Sequence, residues 1–204
     1  MKRTGLLSLV LVTAVSFGCN RGTANNRTAN GTPGTAGTSG AGVSSGDVNF
    51  VRDVTDLNNT EIELSRLATE RSANPEVKKF AQMTITDHTA AGDKLSSIAS
   101  QDAIDNAPKD KDVKKTDDER AKLEKKQGAD FDKAYIDAMI DGHDKLLSKL
   151  GSRVDKQGNG DNPTVVPEKS DNAVTQSINQ WAADTYPTAK NHRDQLKSLK
   201  DAVK

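Results

Sequence analysis

From Phe50 onward the apolar residues recur at alternating intervals of four and three, in four separate runs. Only the α-helix brings residues so spaced onto one face, so each run reads as a helix with a buried stripe. Phe50, Val54, Leu57, Leu64 and Ala68 predict a first helix over residues 47–71. Asn74 and Pro75 then punctuate, Asn74 as an N-cap and Pro75 at the first helical position. The second helix is expected to run to residue 100, with Val77, Ala81, Thr84, Ala91, Leu95 and Ile98 inward. Residues 101–117, charged and containing Pro108, read as a linker. A third helix follows over 118–154, kinked or broken at Gly128, with Ile136, Met139, Leu146 and Leu150 inward. Residues 155–169 read as a loop of Gly, Asn and Pro. Its start faintly resembles a calcium loop, but Val166 stands where the bidentate Glu belongs, so a plain turn is the expectation. The fourth helix covers residues 170–204, with Val174, Ile178, Trp181, Thr185, Ala189, Leu196, Leu199 and Val203 inward and a kink expected at Pro187. Aromatic residues are only 3% of the chain, which favours helices over a sheet. The fold expected is all-α, an up-down-up-down four-helix bundle over residues 47–204.

Each stripe has one polar gap. Glu61 sits between Leu57 and Leu64, His88 between Thr84 and Ala91, His143 between Met139 and Leu146, and His192 between Ala189 and Leu196. These are the chain's three histidines, and all fall on inward positions. Counted along helices placed up-down-up-down, the four reach about one level, within roughly 3 Å at 1.5 Å per residue. An inward polar group costs a few kcal/mol unless it finds partners. Two readings follow. One is a hydrogen-bonded polar layer that sets helix register. The other is a metal site in which Glu61, His88, His143 and His192 are ligands, a donor set suited to zinc, copper or iron. Thr84 and Thr188, one turn from His88 and His192, are candidate outer partners for the rings. Asp87 faces away from the stripe of its own helix, and Asp137, Asp141 and Asp144 read as a solvated face.

The N-terminus reads as an address. Lys2 and Arg3 precede the apolar stretch Leu6 to Phe17, which is too short to span a bilayer, and Cys19 follows small residues. Residues 1–18 are therefore expected to be a lipoprotein signal and Cys19 the lipidated residue, since Val15-Ser16-Phe17-Gly18-Cys19 resembles a bacterial lipobox. Ser16 departs from that pattern, which usually has Leu there, and Ala14-Val15-Ser16 offers an ordinary cleavage site as the rival. Residues 19–46 lack apolar side chains large enough to offset the entropy of ordering and read as a disordered tether. The expected setting is the cell envelope, with the membrane, most plausibly the outer one, held through an N-terminal lipid. Charges balance at 29 of each sign, so no nucleic-acid partner is expected. Asn26-Arg27-Thr28 and Asn58-Asn59-Thr60 match a glycosylation sequon and are read as chance.

The stretch Glu61-Ile62-Glu63-Leu64-Ser65-Arg66-Leu67-Ala68, followed by Val77 to Met83 with Asp87-His88, resembles the domain of unknown function 4142 family. So do Phe131 to Ile136 with His143, and the terminal His192. The resemblance implies a ferritin-like helical bundle in the bacterial envelope, often labelled a putative outer-membrane protein, and no settled activity. A ferritin-like di-iron centre needs Glu-x-x-His motifs, and here Ile85, Ile140 and Ala189 stand three before the histidines. No phosphate loop or nucleophile elbow is present. The expectation is a non-enzymatic envelope protein that holds one metal; the alternative is a structural or interaction bundle with a metal-free polar layer.

Overall fold

The computed structural model describes residues 43–99, 110–158 and 164–203, with the backbone alone for 110–115. The expected signal, Cys19 and nearly all of the tether lie outside these residues. Seven elements follow one another: α1 (Ser45–Arg71), α2 (Pro75–Ile98), α3 (Asp110–Glu124), α4 (Gly128–Gly151), β1 (Val154–Gln157), β2 (Thr164–Pro167) and α5 (Ala173–Ala202). The protein is an all-α bundle of α1, α2, α4 and α5. Among the described residues, no helix is long and apolar enough to cross a membrane.

Local chemistry sets the helix ends. Ser44 caps α1 by accepting from the Asp47 amide, and Asn74 caps α2 through the amides of Glu76 and Val77, with Pro75 at the first turn. Asn172 caps α5 through Val174 and Thr175. Gly128 has φ +53°, a left-handed conformation that glycine adopts freely, and there the chain breaks between α3 and α4. α5 continues through the exposed Pro187.

Helix direction departs from the up-down-up-down order. Phe50 and Val54 at the start of α1 share an apolar cluster with Leu95 near the end of α2, Leu146 and Leu150 late in α4, and Ile178 and Trp181 early in α5. A second cluster joins Leu64 and Ala68 of α1, Val77 and Phe80 of α2, Phe131 and Ile136 of α4, and Leu196 of α5. The order is therefore up, down, down, up, with α2 parallel to α4. A parallel pair needs a connection that travels the length of the bundle, and residues 99–127 supply it. This single long crossover is the connectivity of ferritin-like bundles. Within it, α3 climbs the outside of α1. Thr60 and Thr116 hydroxyls meet at 2.6 Å, and Arg71 donates to the carbonyls of Glu124 (2.8 Å) and Lys126 (3.2 Å). The linker expected over 101–117 is thus helical from Asp110.

The loop expected over 155–169 also carries structure. β1 and β2 pair antiparallel, Val154 opposite Pro167, and lie at the end of the bundle where α4 stops and α5 begins. At the same end Asp47 gathers three elements: Arg153 Nη1 donates to its Oδ1 at 2.6 Å, and Ser44 and Thr175 hydroxyls donate to its Oδ2 at 2.7 Å each.

Candidate metal centre

Each apolar cluster receives residues from all four bundle helices, and one polar level lies between the clusters. In α1 it falls after Val54 and before Leu64, at Glu61. In α2 it falls between Ala81 and Leu95, at His88. In α4 it falls between Met139 and Leu146, at His143, and in α5 between Ala189 and Leu196, at His192. The four side chains are almost wholly buried, His143 at 0% and His88, the most accessible, at 5% exposure. The structure thus brings together all four residues read from the stripes. The reversed directions of α4 and α5 do not scatter them, because in every helix the polar residue stands between residues of the two apolar clusters, whichever end the helix starts from.

The three imidazoles form a near-equilateral triangle, with ring centres 5.3, 5.6 and 5.7 Å apart. One nitrogen from each lies within 4.8 Å of one from both others. Imidazoles bound to a tetrahedral ion through bonds of about 2.05 Å have ring centres about 5.3 Å apart and nitrogens about 3.4 Å apart. The rings therefore stand near ligand spacing and would draw slightly inward onto an ion.

Hydrogen bonds on the far side of two rings leave a lone pair facing in. His143 Nδ1 lies 2.9 Å from the Met139 carbonyl. A carbonyl only accepts, so Nδ1 carries the hydrogen and Nε2 is the lone-pair nitrogen. His192 Nε2 lies 3.0 Å from Asp87 Oδ2, which by the same reasoning leaves Nδ1 with the lone pair. These inward nitrogens, His143 Nε2 and His192 Nδ1, have no protein hydrogen-bond partner. A ring fixed by an outer carboxylate or carbonyl, with its other nitrogen bare, is the arrangement found behind metal-bound histidines.

Glu61 takes a different place from the one expected. Its Oε2 is 3.1 Å from His88 Nδ1 and its Oε1 3.2 Å from His143 Nδ1. Neither contact is aligned as a hydrogen bond, and both oxygens are left without one. The converging set comprises the three histidines alone, and Glu61 reaches two of them. It lies flat against α4 at Gly142, where a Cβ would come within 3.2 Å of Glu61 Cδ and collide with Oε1. Only a glycine admits the carboxylate there.

Burial dominates the electrostatics. It pushes His88 down to about 3, helped by the charges of His143 and His192. It also lowers His192, together with His143 and against Asp87. Burial lifts the Glu61 carboxyl above its usual range, against the pull of His143. At His143 burial works against charge, but Glu61 and the Met139 carbonyl outweigh it and the imidazole is raised. Burial thus favours the neutral imidazole at His88 and His192, while the carboxylate beside it favours the charged form of His143.

Several contributors were not read from the stripes. Asp87 lies one residue from His88, so it leaves the stripe of α2 and serves the imidazole of α5 instead. Asn58 is buried and donates to the His88 carbonyl at 2.9 Å, pinning α1 to α2 at this level. That burial also keeps its sequon from the surface. Thr84 is buried but bonds to no imidazole, and Thr188 is exposed. The acidic face is as expected: Asp137 and Asp144 are exposed and pair with Lys200 (2.7 Å) and Arg193 (3.4 Å).

Fold and site together define a class: a four-helix bundle with one long crossover and a buried histidine triad at mid-height. Residues 32–167 match the sequence profile described as Domain of unknown function (DUF4142), and the chain belongs to that family. The match ends before α5, so His192 comes from outside it. No curated protein and no solved structure matches the chain.

Proposed function

We propose that this is a non-enzymatic, lipid-anchored protein of the cell envelope whose bundle holds one transition-metal ion in the His88–His143–His192 triad. One observation carries the metal reading. A polar layer serving only register would satisfy its own hydrogen bonds, yet His88 Nδ1, His143 Nε2, His192 Nδ1 and both Glu61 oxygens are buried without one. Orphaned groups of this kind cost about 1–3 kcal/mol each. A cation in the triad takes up the imidazole lone pairs as ligands, and the Glu61 carboxylate beside them balances its charge. Three nitrogens suit zinc, copper or iron over calcium. Glu61 supports the rings from the side, in place of the fourth ligand expected.

Holding fits the space better than catalysis. Beside His88 and His192 lies a cavity of only about 20 Å³. That is room for one water molecule and for no organic substrate. An imidazole must be unprotonated to bind an ion, so affinity falls as pH drops. The envelope setting rests on Cys19 and the residues before it.

Thermal unfolding with chelator and with zinc, copper or iron tests the reading. A bound ion stabilises the folded state, by about 4 kcal/mol at a thousandfold excess over Kd. Wild type should gain stability with one of these metals, and His88→Ala, His143→Ala and His192→Ala should each lose most of the gain. If wild type melts alike in chelator and in all three metals, the layer is structural.

A further inference from the structure

We propose that the cleft between α1, α3 and α4 is the route by which a divalent metal ion reaches the histidine layer, with Glu61 the carboxylate at its inner end. The proposal rests on the metal reading above and adds how the ion gets in. The triad itself is closed to solvent, so an ion needs a path. The cleft has a volume of about 380 Å³ and is lined by Glu61 and Gly142. Glu61 is 2% exposed, and both its oxygens lack a hydrogen-bond partner. It touches His88 and His143 directly, so an ion that meets this carboxylate is one step from two imidazoles. Gly142 lets the carboxylate lie where α4 borders the cleft. The opposite approach, past Asp87 and Thr188, offers about 20 Å³.

The outer part of the cleft is balanced in charge, with Asp137 also lining it, and has the movable wall such a route needs. Glu119 on α3 and Asp141, next to Gly142, line it, interleaved with Lys122, Lys126 and Lys145. α3 forms the outer wall and is thinly held. Leu123 is its one buried side chain among the described residues. Among the described residues its other side-chain ties are the half-buried Thr60–Thr116 contact, the exposed Arg71 bonds at and just beyond its end, and Arg120 at 3.5 Å from Glu63. A segment with few buried contacts opens locally at low cost.

The test uses copper(II) and the purified full chain. Trp181 is the single tryptophan and lines the same small cavity as His88 and His192, so its quenching reports copper arriving at the triad. Wild type should show a saturable quench that His143→Ala lacks. Asp141→Lys should slow the quench about tenfold by making the balanced mouth repel a cation, with an unchanged end point. Asp93→Lys, an equal charge change on an exposed site of α2, should leave the rate unaltered. Leu123→Ala, which frees the wall, should speed it. Equal rates for Asp141→Lys and Asp93→Lys, or no acceleration in Leu123→Ala, overturn the route while the metal reading stands. No saturable quench in wild type overturns both, and is seen before any variant is made.

Discussion

Gly142 shows how one missing side chain shapes the site. Alanine favours a helix over glycine by about 1 kcal/mol. Here the added methyl would meet the far end of Glu61, a flexible side chain that can swing into the adjoining cleft. The two effects nearly offset, so Gly142→Ala should change stability in chelator by less than about 1 kcal/mol. Its cost should show in metal binding, because Glu61 leaves His88 and His143. Calorimetric unfolding with and without zinc separates the two quantities. An unchanged metal-dependent gain would mean that the position of Glu61 is irrelevant to the triad. Asp87 acts from the other side, fixing the His192 ring at 3.0 Å. Asp87→Asn keeps a hydrogen-bonding group of the same shape but removes the charge, and should weaken metal affinity about tenfold. Titration against a competing chelator gives that ratio, and equal affinities would remove Asp87 from the site.

At the scale of elements, Asp47 ties the start of α1 to the end of α4 and the start of α5. Burial alone would raise its carboxyl, but the hydrogen bonds from Ser44, Thr175 and Arg153 outweigh burial and hold it below the ordinary 3.8. A carboxyl lowered in the folded state contributes stability that is present above the unfolded value and lost as pH falls through the folded one. Asp47→Asn leaves Arg153 without its partner and should cost about 3 kcal/mol at pH 7. The gap between variant and wild type should close as pH drops below about 4. Melting curves at pH 7 and pH 2.5 check both statements; a gap undiminished at the lower pH would show that the charge is not what Asp47 contributes.

For the whole molecule, the two apolar clusters divided by a polar level raise the question of cooperativity. Every bundle helix contributes to both clusters, so neither can melt without fraying all four helices. A chain shortened to begin at Val43, which keeps the Ser44 cap, should be strongly helical and unfold in one transition by circular dichroism and by Trp181 fluorescence alike. Probes that disagree would mean the clusters melt apart. Anchoring belongs to this scale too. If Cys19 carries the lipid, labelled fatty acid should enter wild type and not Cys19→Ser, and the variant should leave the membrane fraction. Equal labelling would end the lipoprotein reading.

The sequence by itself determined the four helices of the bundle and the polar gap in each stripe, because the 3.6-residue period is a local property that each stripe carries alone. It therefore placed Glu61, His88, His143 and His192 at the core. Tertiary structure decided the rest. Helix direction depends on where a connection can travel, and the charged stretch before α4, read as linker to residue 117 and helix beyond, gave no sign that its helix starts at Asp110 and runs outside α1. Asp87, Asn58 and the Met139 carbonyl act on other elements or through the backbone, so no spacing within a stripe reveals them. Gly142 looks like a weak point in a helix until Glu61 is seen against it. The division of labour between three converging imidazoles and a flanking carboxylate is likewise a matter of angles between helices, which no single segment encodes.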